Sequence, residues 1–189
     1  MSISTTLRRF FSVLLLGLMF QTGVQAAPRS AEREVVPGVV NYTRVDGNLA
    51  YGGATKPEAL TELKSRGFKS VINLRQANEP GANVEAEGVA ARTAGLKYIN
   101  LPFIASDPNA ATLVELFLKA VVDPSNVPVF VHSGLFHRAA GMLLIKRVLI
   151  DGWSVDKAAA EADAALADGT PGAKRNREFA LGYIKTHSK

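Results

Sequence analysis

Apolar positions along the chain fall into short runs and spaced stripes, and the two patterns alternate. Residues 39–44 and 49–51 are strand-like segments flanking Asp46-Gly47-Asn48, which reads as a hairpin with a glycine turn. Thr55-Lys56-Pro57-Glu58 opens a helix with Pro57 in its first turn, Leu60 and Leu63 on one face and Gly67 at its end. Ser70-Val71-Ile72-Asn73-Leu74 is a short buried run, followed by a polar loop through Gly81 and a helix over residues 83–94 ended by Gly95. The unit then repeats. Residues 97–101 form a strand, 102–109 a loop, 110–122 an amphipathic helix with Leu113, Leu116, Phe117 and Ala120 on its apolar side, and 128–131 a buried strand. This alternation predicts an α/β fold with a central, mostly parallel sheet of four or five strands flanked by helices on both faces. Beyond Val131 the pattern turns helical, over 138–150, from Ser154 to Leu166, and over 174–186, with Gly169-Thr170-Pro171-Gly172 as a turn. There is no internal repeat, and residues 39–189 read as one domain.

The N-terminus departs from this pattern. Arg8 and Arg9 precede an apolar run over residues 10–20 broken by Ser12 and Gly17, and Val24-Gln25-Ala26 has small residues where a signal peptidase cuts. Residues 1–26 are therefore expected to be a secretory signal peptide, too short for a membrane span of about 20 apolar residues. Residues 27–38, with two prolines and no period, are expected to be a flexible lead-in, with order starting near Val39. The segment implies export, with the bacterial periplasm the expected destination and no membrane span after cleavage.

Charge adds an exclusion. The chain carries 22 Lys+Arg against 17 Asp+Glu, a net +5 that falls to about +3 once Arg8 and Arg9 are removed. That bias is too small to argue for nucleic acid, and no basic run with interleaved aromatics changes the picture. The chain has no cysteine. This excludes disulfides, thiolate metal sites, an iron–sulfur cluster, a lipid-modified cysteine and any cysteine nucleophile.

The stretch that carries chemistry runs from Pro128 to Met142 and contains His132-Ser133-Gly134-Leu135-Phe136-His137-Arg138. A buried strand, a tight loop and a helix start aim backbone N–H groups and the positive end of a helix dipole at one place, which suits an anion. An arginine at the helix start can add two parallel hydrogen bonds. The alternative is that Arg138 caps the loop by bonding carbonyls. Two histidines five residues apart with no carboxylate in the loop are a poor ligand set, so neither a metal nor a cofactor is expected.

On these residues the sequence resembles the protein tyrosine and dual-specificity phosphatase superfamily, in particular small bacterial phosphatase-like domains found fused to beta-lactamase-like hydrolases. The resemblance covers roughly residues 41–169. It rests on Gly67-Phe68-Lys69-Ser70-Val71-Ile72-Asn73-Leu74-Arg75, on Gly95-Leu96-Lys97-Tyr98-Ile99-Asn100-Leu101-Pro102, on the loop from His132 to Arg138, and on Ile145-Lys146-Arg147-Val148-Leu149 with Asp151-Gly152-Trp153-Ser154. It implies a phosphatase-like fold and phosphoester hydrolysis through a phosphocysteine. It also implies loop-orienting hydrogen bonds from His132, phosphate binding by Arg138, and a general acid at Asp107.

The departures bear on that chemistry. Ser133 stands at the nucleophile's position, and a hydroxyl is several units less acidic than a thiol of pKa about 8.5. Four residues rather than five separate Ser133 from Arg138, and Leu135 and Phe136 replace the small residues that let amides crowd a phosphate, leaving Gly134 as the loop's glycine. Asp107 precedes Pro108 and reads equally as a turn or helix-cap residue. A serine hydrolase built from Ser133, His137 or His132, and Asp107 is disfavoured because no Gly-x-Ser-x-Gly elbow surrounds the serine. Arg75 and Arg92 read as solvated surface charges that could rim a site.

The expectation is thus an exported pseudophosphatase. Ser133, Asp107 and Arg138 stand in the catalytic positions, and His132, Gly134, His137 and Arg138 hold a phosphate-like anion, a phosphorylated ligand or a protein partner. A weakly active phosphoester hydrolase using Ser133 or water, with Asp107 as acid, is the alternative.

Overall fold

The computed structural model of the protein describes residues 32–166 and 168–188. The expected signal peptide lies outside them. Six strands form one sheet: β1 (Glu32–Arg33), β2 (Thr43–Arg44), β3 (Leu49–Gly52), β4 (Ser70–Asn73), β5 (Lys97–Asn100) and β6 (Val129–His132), in the order β1-β2-β3-β6-β4-β5. The β2–β3 hairpin and the β1–β2 pair are antiparallel, whereas β3, β6, β4 and β5 run parallel. The helices are α1 (Ala59–Ser65), α2 (Val84–Thr93), α3 (Ala110–Val122), α4 (His137–Leu149), α5 (Val155–Leu166) and α6 (Pro171–His187).

The two faces of the parallel strands explain the layers. Leu49, Tyr51, Ile72, Val129 and Val131 turn to one side and join the core made with α3, α4, α5 and α6. Ala50, Val71 and Phe130 turn to the other and meet Leu60, Leu63 and Ala91 of α1 and α2. Strands buried on both faces are continuous apolar runs rather than alternating ones, which is why β4 and β6 are legible from the sequence. The expected α/β fold with a mostly parallel sheet is present, and β1 adds one strand to it.

Residues 27–31 of the expected lead-in lie outside the described residues, and within residues 32–38 there are contacts with the sheet before Val39. Glu32 and Arg33 pair with Arg44 and Thr43, Val36 is buried against the α1 side of the sheet, and Glu34 accepts a hydrogen bond from Arg66 Nη1 at 2.7 Å. The exposed edge of β2 supplies backbone partners that no periodicity in a proline-flanked segment could announce.

A glycine lets β3 and the loop after β6 approach each other. Gly53, just beyond β3, has no Cβ to occupy the space 3.1 Å from the Gly134 carbonyl, and Ala54 N–H donates to that carbonyl at 2.8 Å. The loop is thereby tied to the end of β3.

Candidate functional site

β6 lies between β3 and β4, so the loop leaving its C-terminal end stands over the middle of the sheet, the usual place for a ligand in an open α/β fold. Its backbone is fixed from both neighbours. Ser133 N–H donates to the Gly52 carbonyl at 3.3 Å, and the His132 carbonyl accepts from Leu74 N–H at 2.9 Å. Phe136 precedes α4 in the left-handed region at φ 58°, which for a bulky side chain costs about 1–3 kcal/mol. The turn sends Leu135 outward, 65% exposed, while Phe136 packs against the main core. Leu135 and Phe136 therefore do not fill the loop. The N–H groups of Gly134, Leu135 and Phe136 have no acceptor among the described residues, and the N-terminal end of the 13-residue α4 adds its dipole at the same place.

Ser133 sits at the base of this loop. It is fully buried, and its Oγ has no hydrogen-bond partner among the described residues. Neither His132 nor His137 bonds it, their Nε2 atoms facing Glu87 and Asp168 instead.

Arg138 is the most constrained side chain of the site. Nη1 donates to Glu79 Oε1, to the Leu74 carbonyl at 3.0 Å and to the Phe103 carbonyl at 3.2 Å, and Nη2 donates to Glu79 Oε2 at 2.7 Å. A guanidinium has five N–H bonds. Nη1 is saturated and Nη2 uses one hydrogen, which leaves the Nε hydrogen and the second Nη2 hydrogen as a parallel fork with no partner among the described residues, the geometry for two oxygens of an oxyanion. Arg138 thus bonds the Leu74 and Phe103 carbonyls, as the capping alternative expects. Glu79 is in turn held by Gln76 N–H at 2.9 Å and by Arg75 Nε at 3.4 Å. Burial pushes the Glu79 carboxyl pKa up, but the bonds from Arg138 and Gln76 and the Arg138 charge outweigh it and hold the pKa below the ordinary value.

Two further carboxylates hold the histidines. His132 Nε2 lies 2.5 Å from Glu87 Oε1, and Glu87 Oε2 accepts from Asn73 Nδ2 at 3.0 Å. Asn73 Nδ2 also bonds the Tyr98 hydroxyl, whose pKa is raised, mainly by burial. This buried chain lies on the α2 side of the sheet and braces the end of β6 from below. His137 Nε2 lies 2.6 Å from Asp168 Oδ2, in the turn between α5 and α6. Asp168 is held below its ordinary pKa, first by the Thr170 N–H and then by the Thr170 hydroxyl and His137. His137 is thus oriented by Asp168 and not by Asp107.

Asp107 lies outside the cavity. Its Oδ1 accepts from Asn109 N–H at 2.7 Å, an Asx turn leading into α3. Arg75 is not a solvated rim charge: it is buried and donates to the Pro80 and Gly81 carbonyls at 2.7 and 3.0 Å. Arg92 is exposed on α2 and does not line the cavity.

The loop opens into a cavity of about 550 Å³, in the range of about 300–1,000 Å³ for small-molecule sites. Ser133, Gly134, His137 and Arg138 line it, together with Pro80, Ile104 and Ala105 and with Gly172, Arg175 and Asn176 of α6. A larger cavity of about 730 Å³ between α1 and α2 contains none of the loop residues. Its charged lining residues are Glu58 and Glu85, so its sign opposes an anion. Among the described residues no group of three or more His, Asp or Glu is placed to hold a metal ion, and no helix is long and apolar enough to cross a membrane.

Three comparisons bear on this geometry. Residues 39–178 match the family model described as DSP-PTPase phosphatase fused to NAD+ Kinase. Two beta-lactamase hydrolase-like proteins of Xylella fastidiosa, from strains Temecula1 and 9a5c, are 32% identical over 112 residues, covering 57% of this chain. The chain spans only 25% of the length of those relatives. Among solved structures, a putative phosphatase (DUF442) of Shewanella putrefaciens CN-32 aligns with a TM-score of 0.66 at 18% identity, over 80% of this chain and 96% of that one. The core catalytic domain of the PP-IP phosphatase SIW14 of S. cerevisiae, in complex with citrate, gives 0.63 at 20% identity, over 79% and 88%. A cysteine-to-serine variant of P. aeruginosa TpbA in complex with phosphotyrosine gives 0.59 at 16% identity, over 86% and 92%. At such identities the likeness is one of fold.

Proposed function

The chain belongs to the phosphatase family described as DSP-PTPase phosphatase fused to NAD+ Kinase, and from that premise we propose that it is a pseudophosphatase that binds a phosphate-like anion or phosphorylated ligand. One observation carries the proposal. The loop keeps a fixed arginine whose second edge has no partner among the described residues, while the Ser133 hydroxyl, among the same residues, has no base bonded to it. Binding and chemistry are therefore separated in this site. The oxyanion lies against the free edge of Arg138 and the N–H groups of Gly134, Leu135 and Phe136, where each charge-assisted bond contributes about 1.5–3 kcal/mol. Hydrolysis needs in addition a nucleophile that forms readily near neutral pH and an acid for the leaving oxygen. Ser133 does not supply the first, and Asp107 lies outside the cavity. The phosphotyrosine complex of the TpbA variant supports the separation, because a serine in place of a cysteine is compatible with a bound phosphoester in that protein.

Export completes the proposal, from the sequence of residues 1–26 alone. N-terminal sequencing of the chain recovered from a periplasmic fraction is expected to begin after Ala26. For the site, calorimetric titration of the purified chain with phosphate or vanadate is expected to show saturable binding that Arg138→Ala abolishes. No binding by the parent would end the anion reading. Turnover of a generic aryl phosphate above background, lost in Asp107→Asn, would instead establish the hydrolase alternative.

A further inference from the structure

We infer that the ligand of this site carries a second anionic group, which Arg175 of α6 recognises while the phosphate-like head sits at Arg138. The inference rests on the anion-binding reading above and adds the class of ligand. Four observations on the cavity lead to it.

Its charges do not balance. Arg75, Arg138 and Arg175 line it against the single carboxylate of Glu79, and that carboxylate is shared by Arg75 and Arg138. Arg175 takes no part in the cluster. Of the arginines on α4 and α6, Arg138 holds Glu79, Arg147 holds Glu161 and Arg177 holds Asp163, whereas Arg175 has no carboxylate partner among the described residues. It is exposed, at the rim of the same cavity.

The base of Arg175 is fixed relative to the loop. Thr170 caps α6 by accepting from Ala173 N–H at 3.2 Å, and the adjacent Asn176 donates to the Gly172 carbonyl at 2.8 Å. Gly141 on α4 lets the two helices approach closely, for a Cβ there would stand 3.2 Å from the Asn176 carbonyl oxygen. His137 and Asp168 join the start of α4 to the turn before α6. The α6 wall is therefore attached to the anion loop rather than hinged away from it.

The cavity also has room beyond one oxyanion, at about 550 Å³. Its lining includes the apolar residues Ile104, Ala105 and Pro80, and Leu135, which stands exposed. Finally, Ser133 Oγ lines the cavity buried and without a partner among the described residues, a polar atom still to be matched where the head group would sit. Head, apolar frame and second acid thus each have a surface. The ligand class is a phosphate ester on an apolar frame bearing a carboxylate or second phosphate.

The test compares two probes that differ only in the second charge. Calorimetry at low, fixed ionic strength is run with phenyl phosphate and 4-carboxyphenyl phosphate, with inorganic phosphate as the head-group control. Because Arg175 is exposed, the gain is expected to be modest, about fivefold tighter for the carboxylated probe, and to shrink with added salt. Arg175→Ala should erase that preference and leave phenyl phosphate within about twofold of the parent, while Arg175→Lys should keep part of it. Equal binding of the two probes by the parent, or an equal loss of both in Arg175→Ala, would overturn the inference with the anion reading intact. Binding of none of the three would overturn both.

Discussion

The Glu79 carboxylate grips the two terminal nitrogens of Arg138, and in doing so it fixes which edge of the guanidinium stays open. A negative charge beside an anion site ordinarily weakens binding. Here the geometry reverses the expectation, because a guanidinium freed from Glu79 keeps its charge but loses its orientation. Glu79→Gln is therefore expected to raise the Kd for phosphate by about tenfold, the scale of one charged hydrogen bond. Tighter binding by this variant would identify Glu79 as a competitor for Arg138 rather than its support.

The same contact sets a pH dependence of stability. The folded-state pKa of Glu79 is depressed, so its contribution is complete above the unfolded carboxyl pKa of about 4.3 and is lost as pH falls through the lower folded value. Urea midpoints measured from pH 6 downward should fall less steeply in Glu79→Gln than in the parent. Parallel acid limbs would show that Glu79 has the same pKa folded and unfolded.

Gly134 offers a separation of binding from folding. A Cβ built there meets Arg138 Nη2 at 3.6 Å and Glu79 Oε2 at 3.7 Å, which are ordinary contacts, and its φ is not in the left-handed region. Gly134→Ala should keep the parent's melting temperature within about 2 °C, since surface and loop changes of this kind usually stay within about 0.5 kcal/mol. It should nevertheless weaken phosphate binding at least tenfold, because the methyl group would stand against Arg138 Nη2, the nitrogen that the open edge shares with the Glu79 contact. Unchanged affinity would place the anion elsewhere.

Ser133→Cys tests whether the loop retains the family's chemistry. Arg138 and the N-terminal end of α4 should lower the thiol pKa below about 8.5, giving a thiolate that attacks phosphorus and expels the leaving oxygen. With Asp107 outside the cavity, only leaving groups that depart without a proton should react. The variant is expected to release p-nitrophenolate from p-nitrophenyl phosphate and to leave alkyl phosphates intact. A folded variant with no release above the parent would show that the loop geometry is unsuited to in-line attack.

The buried pair beneath the loop is a matter of stability. Glu87→Ala leaves His132 Nε2 without its partner in a fully buried position whose Nδ1 already has none among the described residues. Leaving a buried hydrogen-bonding group unmatched costs about 1–3 kcal/mol. Denaturant titration giving less than about 1 kcal/mol would mean that water reaches the pair.

The layers and the local shape of the site are written in the pattern of the chain. Doubly buried strands are continuous apolar runs, helices are stripes, and strand, loop and helix from Val129 to Leu149 are contiguous, so the position of Ser133 before Arg138 needs no tertiary information. The missing cysteine is equally plain. What each of these groups meets is settled only when the chain folds. Glu79, Glu87 and Asp168 lie 59, 45 and 31 residues from Arg138, His132 and His137, and in one dimension each is an ordinary acid in a polar stretch. Asp107 has the better local context for chemistry and instead holds its own turn. The reason is physical: burial in a strand or helix is encoded by periodicity over a few residues, whereas the partner of a charge is chosen by which distant loops the sheet brings together.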